Sequence, residues 1–368
     1  MGTKQKKIAF ILPSLRGAGA ERVFLNLSRS ISEKGYDVDL VLLQKEGEYL
    51  NDVARGVCVV DLHCSRAALS FFALARYFKE ENPDTAVSAL PHMNAVTLAA
   101  NRIAGTNVDI IITKHNPLSI DFSGINFLKR IGITFLMKSL YPSAKAIIAV
   151  SRGVAEDVSK VLSMPINTIS IIYNPIVNAE IFVKAEEAPR HPWLVDKRAP
   201  IILSVGRLVP QKDFMTLIRA FAVLEGKNDA RLIILGEGDE RSRLERLVAE
   251  LGLQERVSLP GFMKNPYAEM ASADVFVLSS RWEGFGNVLV EAMACGTPVV
   301  STSCLGGPAE IMEGGVYGKL VAPGDVVALA AAIEETLANP IDSETLRTRA
   351  NVFSIESASA KYLEVIES

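Results

Sequence analysis

Short β-branched runs alternate with helical stretches along most of this chain, and the rhythm starts afresh at residue 200. "KKIAFILPS" (6–14), "DVDLVLLQ" (37–44), "TAVSALP" (85–91), "DIIITKH" (109–115) and "KAIIAVS" (145–151) are near-continuous apolar runs, which is how parallel strands covered on both faces read. Segments of helical spacing lie between them, such as 20–35, which stops at Gly35 as a helix does. The second series is "PIILSVGR" (200–207), "ARLIILGEG" (230–238), "RVSLPGF" (256–262), "DVFVLSS" (274–280) and "TPVVSTS" (297–303). Strand–helix alternation in both halves predicts an α/β protein of two doubly wound, Rossmann-like domains. The proline-rich, charged stretch 183–199 reads as a linker between a domain over 1–182 and one over 200–350. A cleft between two such domains is the expected ligand site, because loops at strand carboxyl ends face it.

The bulk numbers agree. A chain of 368 residues exceeds one comfortable core. With 39 basic and 42 acidic residues the net charge is −3, so whole-chain electrostatics do not argue for a nucleic-acid partner. Cys58, Cys64, Cys295 and Cys304 show no zinc-like spacing and read as free thiols in a reducing compartment. The lysines and apolar run at the start mimic a signal peptide, but Pro13 and Arg16 end the run early, so it reads as a first buried strand. No stretch approaches the ~20 apolar residues that span a bilayer, and a cytoplasmic protein is expected.

The loops carry the chemistry. In "SLRGAGAERV" (14–23), Gly17 and Gly19 sit between a strand and a helix, where amides and the helix dipole favour an anion. Residue 22 is Arg, so the G-x-G-x-x-G dinucleotide spacing is missing, and a plain tight turn fits equally well. His115 ends a strand in "TKHNP"; His63 and His92 have less telling settings, and His191 is in the linker. In "SVGRLVPQKDF" (204–214), Arg207 and Lys212 put two cations in one strand–helix loop, as a diphosphate requires. The turns "LGEGDE" (235–240) and "LPGFMKN" (259–265) lie on the same rim, and the second could offer backbone groups of Phe262 and Met263 to a nucleobase.

The most pointed stretch is "RWEGFGNVLVEAMACGTPVVS" (281–301). Glu283 leaves a strand end, Gly284 and Gly286 permit close backbone approach, Asn287 is a reasonable N-cap, and Glu291 lies about one turn into the helix. An anion at that helix start would lie between two acids that repel it, so the acids are read as gripping hydroxyls on either side. A sugar, a diphosphate and a ribose satisfy that order.

These residues resemble family 4 of the retaining glycosyltransferases, of GT-B fold, over nearly the whole chain. "SVGRLVPQKDF", "LGEGDER", "LPGF" and "SSRWEGFGNVLVEAMACGTPVVST", with its Glu-x7-Glu pair, carry the likeness; "GAGAERV" and "TKHNPLS" extend it to members that build lipid-linked or lipopolysaccharide glycans. Ala18 stands where relatives often have a second glycine. The resemblance implies transfer from a nucleoside-diphosphate sugar, most commonly a UDP-sugar, to a glycan or lipid-linked acceptor. Glu283 would meet the transferred sugar, with amides of Gly284, Phe285 and Gly286. Glu291 would bind the ribose. Arg207 and Lys212 would clamp the diphosphate, with helix amides near Val288 and Leu289. His115 would reach the donor sugar, and Gly17 and Gly19 would keep the first loop open. It also implies that residues 351–368 pack back on the N-terminal domain, and that neither metal nor cofactor is needed; "DVD" (Asp37, Asp39) is therefore read as a strand entrance.

Residues 124–145 mix Phe127, Leu128, Ile131, Ile133, Phe135, Leu136 and Met137 with Lys129, Arg130, Lys138 and Lys145. Such a helix suits either peripheral contact with the cytoplasmic face of an anionic membrane or a core position with a basic outer face. Two rival functions share the architecture: a nucleotide-sugar epimerase, and a non-catalytic nucleotide-sugar-binding partner.

Overall fold

The computed structural model describes residues 5–16, 19–64, 67–224 and 229–368. The chain divides into two compact units. One runs to Pro175 and takes back Ile355–Ser368; the other is Ile176–Ser354.

The N-terminal unit holds seven strands: β1 (Lys7–Leu12), β2 (Asp37–Leu42), β3 (Val57–Asp61), β4 (Thr85–Ala89), β5 (Asp109–Lys114), β6 (Ala146–Ala149) and β7 (Ile169–Ile171). They form one parallel sheet in the order β3-β2-β1-β4-β5-β6-β7. The C-terminal unit holds β8 (Ile201–Val205), β9 (Arg231–Leu235), β10 (Val257–Gly261), β11 (Val275–Leu278), β12 (Val299–Thr302) and β13 (Lys319–Val321), ordered β10-β9-β8-β11-β12-β13 and again parallel. Parallel pairing requires crossovers, and the crossovers are helices, so both faces of each central strand are covered. β1, β4 and β8 are accordingly buried along almost their whole length. All ten strands read from the sequence are present, each somewhat shorter; β3, β7 and β13 are additional and lie at or near sheet edges.

Residues 183–199 are not a linker. The chain passes between units at Pro175–Ile176, and 183–199 dock on the C-terminal unit. Leu194 and His191 are buried, His191 Nε2 lies 3.0 Å from Ser258 Oγ, and the Arg190 amide donates to Glu269 (2.8 Å). The charges that made the stretch look solvated occupy its outer face, while a few spaced residues fasten it. The helix Ser343–Asn351 also belongs to this unit, where Ser343 Oγ donates to Gly296 O (2.7 Å) and Arg349 Nε to Ile311 O (2.8 Å). The last helix, Ile355–Glu367, belongs to the N-terminal unit: it packs on the helix Gly19–Glu33, with Tyr362 in the core and Ser30 and Ser359 hydroxyls 2.8 Å apart.

Candidate active site

In the C-terminal sheet the strand order reverses between β8 and β11, since the chain builds outward to β9 and β10 on one side and to β12 and β13 on the other. Loops at the carboxyl ends of such a strand pair splay apart, and ligands of open α/β sheets bind there. The loops leaving these two strands are 206–213 and 279–286, the two that carry Lys212 and Glu283.

Lys212 Nζ donates to Glu283 Oε1 at 2.5 Å, with both side chains largely buried. The lysine stem crosses Gly206, where a Cβ would come within 3.3 Å of Lys212 Cε, so a bare backbone is what gives it room. Ser280, fully buried, donates to the same Glu283 oxygen at 2.6 Å. The two loops are sewn together by backbone and side-chain bonds: Arg281 N to Gln211 O (2.8 Å), Gln211 Nε2 to Trp282 O (2.9 Å) and Ser279 Oγ to Lys212 O (2.7 Å). Asp213 holds a left-handed backbone (φ 48°) rare outside glycine, and its carboxylate takes Arg281 Nε (3.1 Å) and Thr216 Oγ1 (2.9 Å). That backbone is the turn by which the chain leaves Lys212 and enters the helix Phe214–Val223.

Behind Glu283, Gly306 (φ 123°) lies so close that a Cβ would overlap the Glu283 carbonyl. The helix Asn287–Ala294 then begins from Gly286 at φ 103°, which is the N-cap residue; Asn287 is the first helical residue and not the cap. Glycine wins that position because the chain must take a left-handed step there that strains any side chain. The Leu289 amide donates to the Gly286 carbonyl (2.9 Å), so it closes the turn rather than facing a ligand, and Val288 is half-buried. Glu291 is buried one turn in, 3.4 Å from the Tyr267 hydroxyl. Two thiols lie near the acids. Burial and the Glu283 charge push Cys304 up to about 12, and burial with Glu291 does the same to Cys295. Neither is a thiolate near neutral pH, so neither is a nucleophile.

Arg207 leaves β8 exposed to solvent, and no acid among the described residues pairs with it. The Gly236–Glu240 turn is stitched to the Arg207 loop by Leu208 N to Glu237 O (2.8 Å) and Glu240 N to Leu208 O (2.9 Å). At the end of β10, Phe262 is exposed and Met263 half-buried, beyond the Gly261 turn whose carbonyl accepts from Gly236 N (2.9 Å). The rim loops are thus physically joined. Lys212 and Ser280 converge directly on the Glu283 carboxylate.

In the N-terminal unit His115 follows β5 and is half-buried, its ring edge-on to Phe24. Its Nε2 lies 3.0 Å from Thr113 Oγ1. The Thr113 hydroxyl spends its one proton on the Ser88 carbonyl (2.9 Å), so Nε2 must be the donor, which fixes the neutral Nε2–H tautomer. Asn94 braces the same strand ends, donating to Thr113 O (2.9 Å) and accepting from Ser88 Oγ (2.7 Å). Burial and the neighbouring Lys114 push His115 down to about 3. Gly19 opens the helix Gly19–Glu33; Gly17 lies outside the described residues. Asp39 is taken up by Tyr77 Oη (2.6 Å) and Lys7 Nζ (3.1 Å), a structural use.

The model for "Glycosyl transferases group 1" matches residues 186–352, and that for "Glycosyltransferase Family 4" matches residues 17–179. A Campylobacter jejuni protein named N-acetylgalactosamine-N,N'-diacetylbacillosaminyl-diphospho-undecaprenol 4-alpha-N-acetylgalactosaminyltransferase is 35% identical, the match covering 86% of each chain. The chain belongs to glycosyltransferase family 4. Among other relatives of this glycosyltransferase is the lipopolysaccharide core biosynthesis glycosyltransferase LpsE of Rhizobium meliloti, 28% identical over 96% of this chain and 97% of that one. A glycosyltransferase from Rickettsia africae superposes with a TM-score of 0.80 at 21% identity, covering 99% and 98% of the two chains. The Anabaena protein HepE, solved with UDP, superposes at 0.78 with 22% identity over 98% and 99%. These likenesses establish the GT-B fold for the glycosyltransferase described here.

Sequence reasoning passed over Ser280, Asp213 and Arg281 around Lys212 and Glu283, and Ser88, Asn94 and Thr113 beneath His115. The first group had a signal: all three flank residues already singled out. Asn94 had none, since it reaches the end of β5 from inside a helix, 19 residues from the Thr113 carbonyl it binds.

Proposed function

We propose that this glycosyltransferase transfers a sugar from a UDP-sugar to a glycan or lipid-linked acceptor, with retention at the anomeric carbon and without a metal. The observation that carries this reading is the meeting of Lys212 and Glu283 at the switch point of the C-terminal sheet. A carboxylate suits sugar hydroxyls, and a cation beside it suits the diphosphate that departs. Arg207, exposed and without an acid partner among the described residues, supplies the second charge. The names of the relatives support the acceptor class: one acts on a diphospho-undecaprenol glycan and another in lipopolysaccharide core biosynthesis. A UDP complex of a structural neighbour agrees with the donor class.

Retaining glycosidases hold two carboxyls about 5–5.5 Å apart, one as nucleophile. Here Glu283 is committed to Lys212 and Ser280, so the reading is same-face attack. The bond from C1 to the diphosphate oxygen breaks, an oxocarbenium-like species forms, and the acceptor oxygen bonds to C1 on that face. The acceptor proton passes to the departing phosphate oxygen. Phe262 and Met263 are read as the base-side rim, Gly284, Phe285, Gly286 and Asn287 as the turn against the sugar and diphosphate, and Glu291 as the ribose acceptor; His115 keeps the donor-sugar role that the family resemblance implies.

Acceptor-dependent release of UDP from UDP-sugars tests the reading, with configuration of the product read by NMR and EDTA included throughout. Epimerised sugar nucleotide without UDP release would replace it by the epimerase reading. Abolition of turnover by EDTA, restored by a divalent ion, would remove the metal-free element.

The helix Phe127–Leu140 supports a location at a membrane surface. Phe127, Leu128 and Phe135 are 71%, 76% and 74% exposed, Ile131 and Leu136 are about half so, and only Met137 of the helix is buried. Lys129 and Arg130 are exposed beside them, and residues 124–145 contain no acid. We read this as a docking face for an anionic membrane surface, which suits a lipid-linked acceptor. No helix among the described residues is long and apolar enough to cross a membrane. Sedimentation with phosphatidylglycerol vesicles, but not with phosphatidylcholine vesicles, is the expected result; equal behaviour toward both would sink the membrane assignment.

A further inference from the structure

The Glu283 carboxylate is held from one side. Lys212 Nζ and Ser280 Oγ both donate to Oε1, at 2.5 and 2.6 Å. Oε2 accepts no hydrogen bond from the described residues, and it is not one of the buried polar atoms sealed off without a partner. One oxygen is therefore fixed and the other is open.

The two donors are not equivalent. Lys212 carries its charge at the end of a four-carbon stem, and a diphosphate arriving in the site competes for it with Glu283. Ser280 carries one hydroxyl proton and is wholly buried, so water offers it no alternative acceptor. Its backbone is pinned as well: the Ser280 carbonyl accepts from Thr302 Oγ1 at 2.5 Å, on β12. Ser280 thus projects from a rigid strand end, whereas Lys212 reaches in from a loop.

We propose that Ser280 is a positioning residue. It keeps Oε1 of Glu283 engaged when the diphosphate draws Lys212 away, and so turns Oε2 toward a hydroxyl of the transferred sugar. The inference rests on the donor reading above and adds to it a residue that serves recognition of the sugar but not of the nucleotide. A buried serine that merely satisfied the core would not make that distinction, because its loss would disturb both.

The experiment measures dissociation constants by calorimetry for the full chain. The probes are UDP and UDP-glucose, UDP-galactose, UDP-N-acetylglucosamine and UDP-N-acetylgalactosamine, taking forward whichever sugar nucleotide the wild type binds most tightly. Ser280→Ala is expected to leave UDP affinity within about twofold and to weaken the sugar nucleotide about tenfold, the size of one hydrogen bond to a charged group. Combined with Glu283→Gln, Ser280→Ala should add little further loss, because it acts through that carboxylate. The inference is overturned if Ser280→Ala weakens UDP and the sugar nucleotide equally, changes neither, or adds its full effect to Glu283→Gln. If the wild type binds none of the five probes, the donor reading itself falls and takes this inference with it. If the wild type binds a sugar nucleotide and Ser280→Ala is silent, only the inference falls.

Discussion

Two helices of this glycosyltransferase are rich in apolar residues and have opposite surroundings. Asn287–Ala294 has eight residues, six of them buried, including Glu291. Phe127–Leu140 has fourteen, of which one is buried. The first bridges β11 and β12, with the sheet on one side and the helix Ser343–Asn351 on the other. The second meets the helices Pro91–Ala104 and Arg152–Leu162, and its two phenylalanines stay exposed. Apolar content therefore does not decide burial; topology decides what covers a helix. The covered helix has one acid before it and one within it: Lys212 and Ser280 hold Glu283, and the Tyr267 hydroxyl lies 3.4 Å from Glu291. The bare one carries bases and no acid, which gives its exposed face a positive sign.

The sharpest way to break this comparison is at the charge beside the covered helix. Lys212→Ala is expected to lower kcat about 100- to 1,000-fold, as loss of one transition-state donor does. Vesicle binding should be unchanged, and melting should fall, because the buried Glu283 keeps Ser280 but loses its cation. Near-normal turnover in a folded variant would remove Lys212 from the chemistry.

Packing gives the next largest effect. Leu289 is fully buried and Leu128 is 76% exposed. Leu289→Ala should cost about 3 kcal/mol, from lost transfer energy and the cavity left behind, whereas Leu128→Ala should stay within about 0.5 kcal/mol. Urea unfolding of the two variants reads this directly. Equal losses would mean that something covers the 127–140 helix in solution.

Charge on the bare helix comes third. Replacing Lys129, Arg130 and Lys138 together by alanine should weaken binding to phosphatidylglycerol vesicles about a hundredfold, at about 1 kcal/mol for each cation near the surface. Transfer to a water-soluble acceptor should be untouched. If binding survives unchanged, apolar insertion or another surface is responsible.

The sequence made the repeated alternation legible because central parallel strands are apolar throughout. β3, β7 and β13 escaped because edge strands are half exposed and, for β7 and β13, only three residues long. The pair Lys212–Glu283 was legible as two loop residues of opposite charge, but their contact was not, since 71 positions separate them. Asn287 looked like a cap on propensity alone. The left-handed Gly286 overrode it, because the chain must turn sharply out of the Glu283 loop. Residues 183–199 looked like a linker because charge and proline dominate their composition. Docking there depends on Leu194 and His191, too few to shift an average.

The smallest expected effect extends the comparison to a third place, the packed strand end at His115. The bare helix should be indifferent to mild acid, and this site should not. The Thr113 hydroxyl fixes the neutral tautomer, and burial with Lys114 holds the imidazole down to about 3. In the unfolded chain a histidine takes its proton near about 6.5. Between those values the unfolded state binds a proton that the folded state refuses, so the linkage favours unfolding as pH falls. The contribution is fully present above about 6.5 and is lost below it, at up to about 1.4 kcal/mol per pH unit. Carboxylates titrate in the lower part of the window, so the measurement is a difference: urea unfolding of wild type and His115→Gln from pH 7 to pH 5.5. Glutamine cannot take the proton, and wild type should lose about 1 kcal/mol more than the variant over that interval. Parallel stability curves would show that His115 accepts its proton in the folded protein, and the reading of a neutral imidazole there would fail.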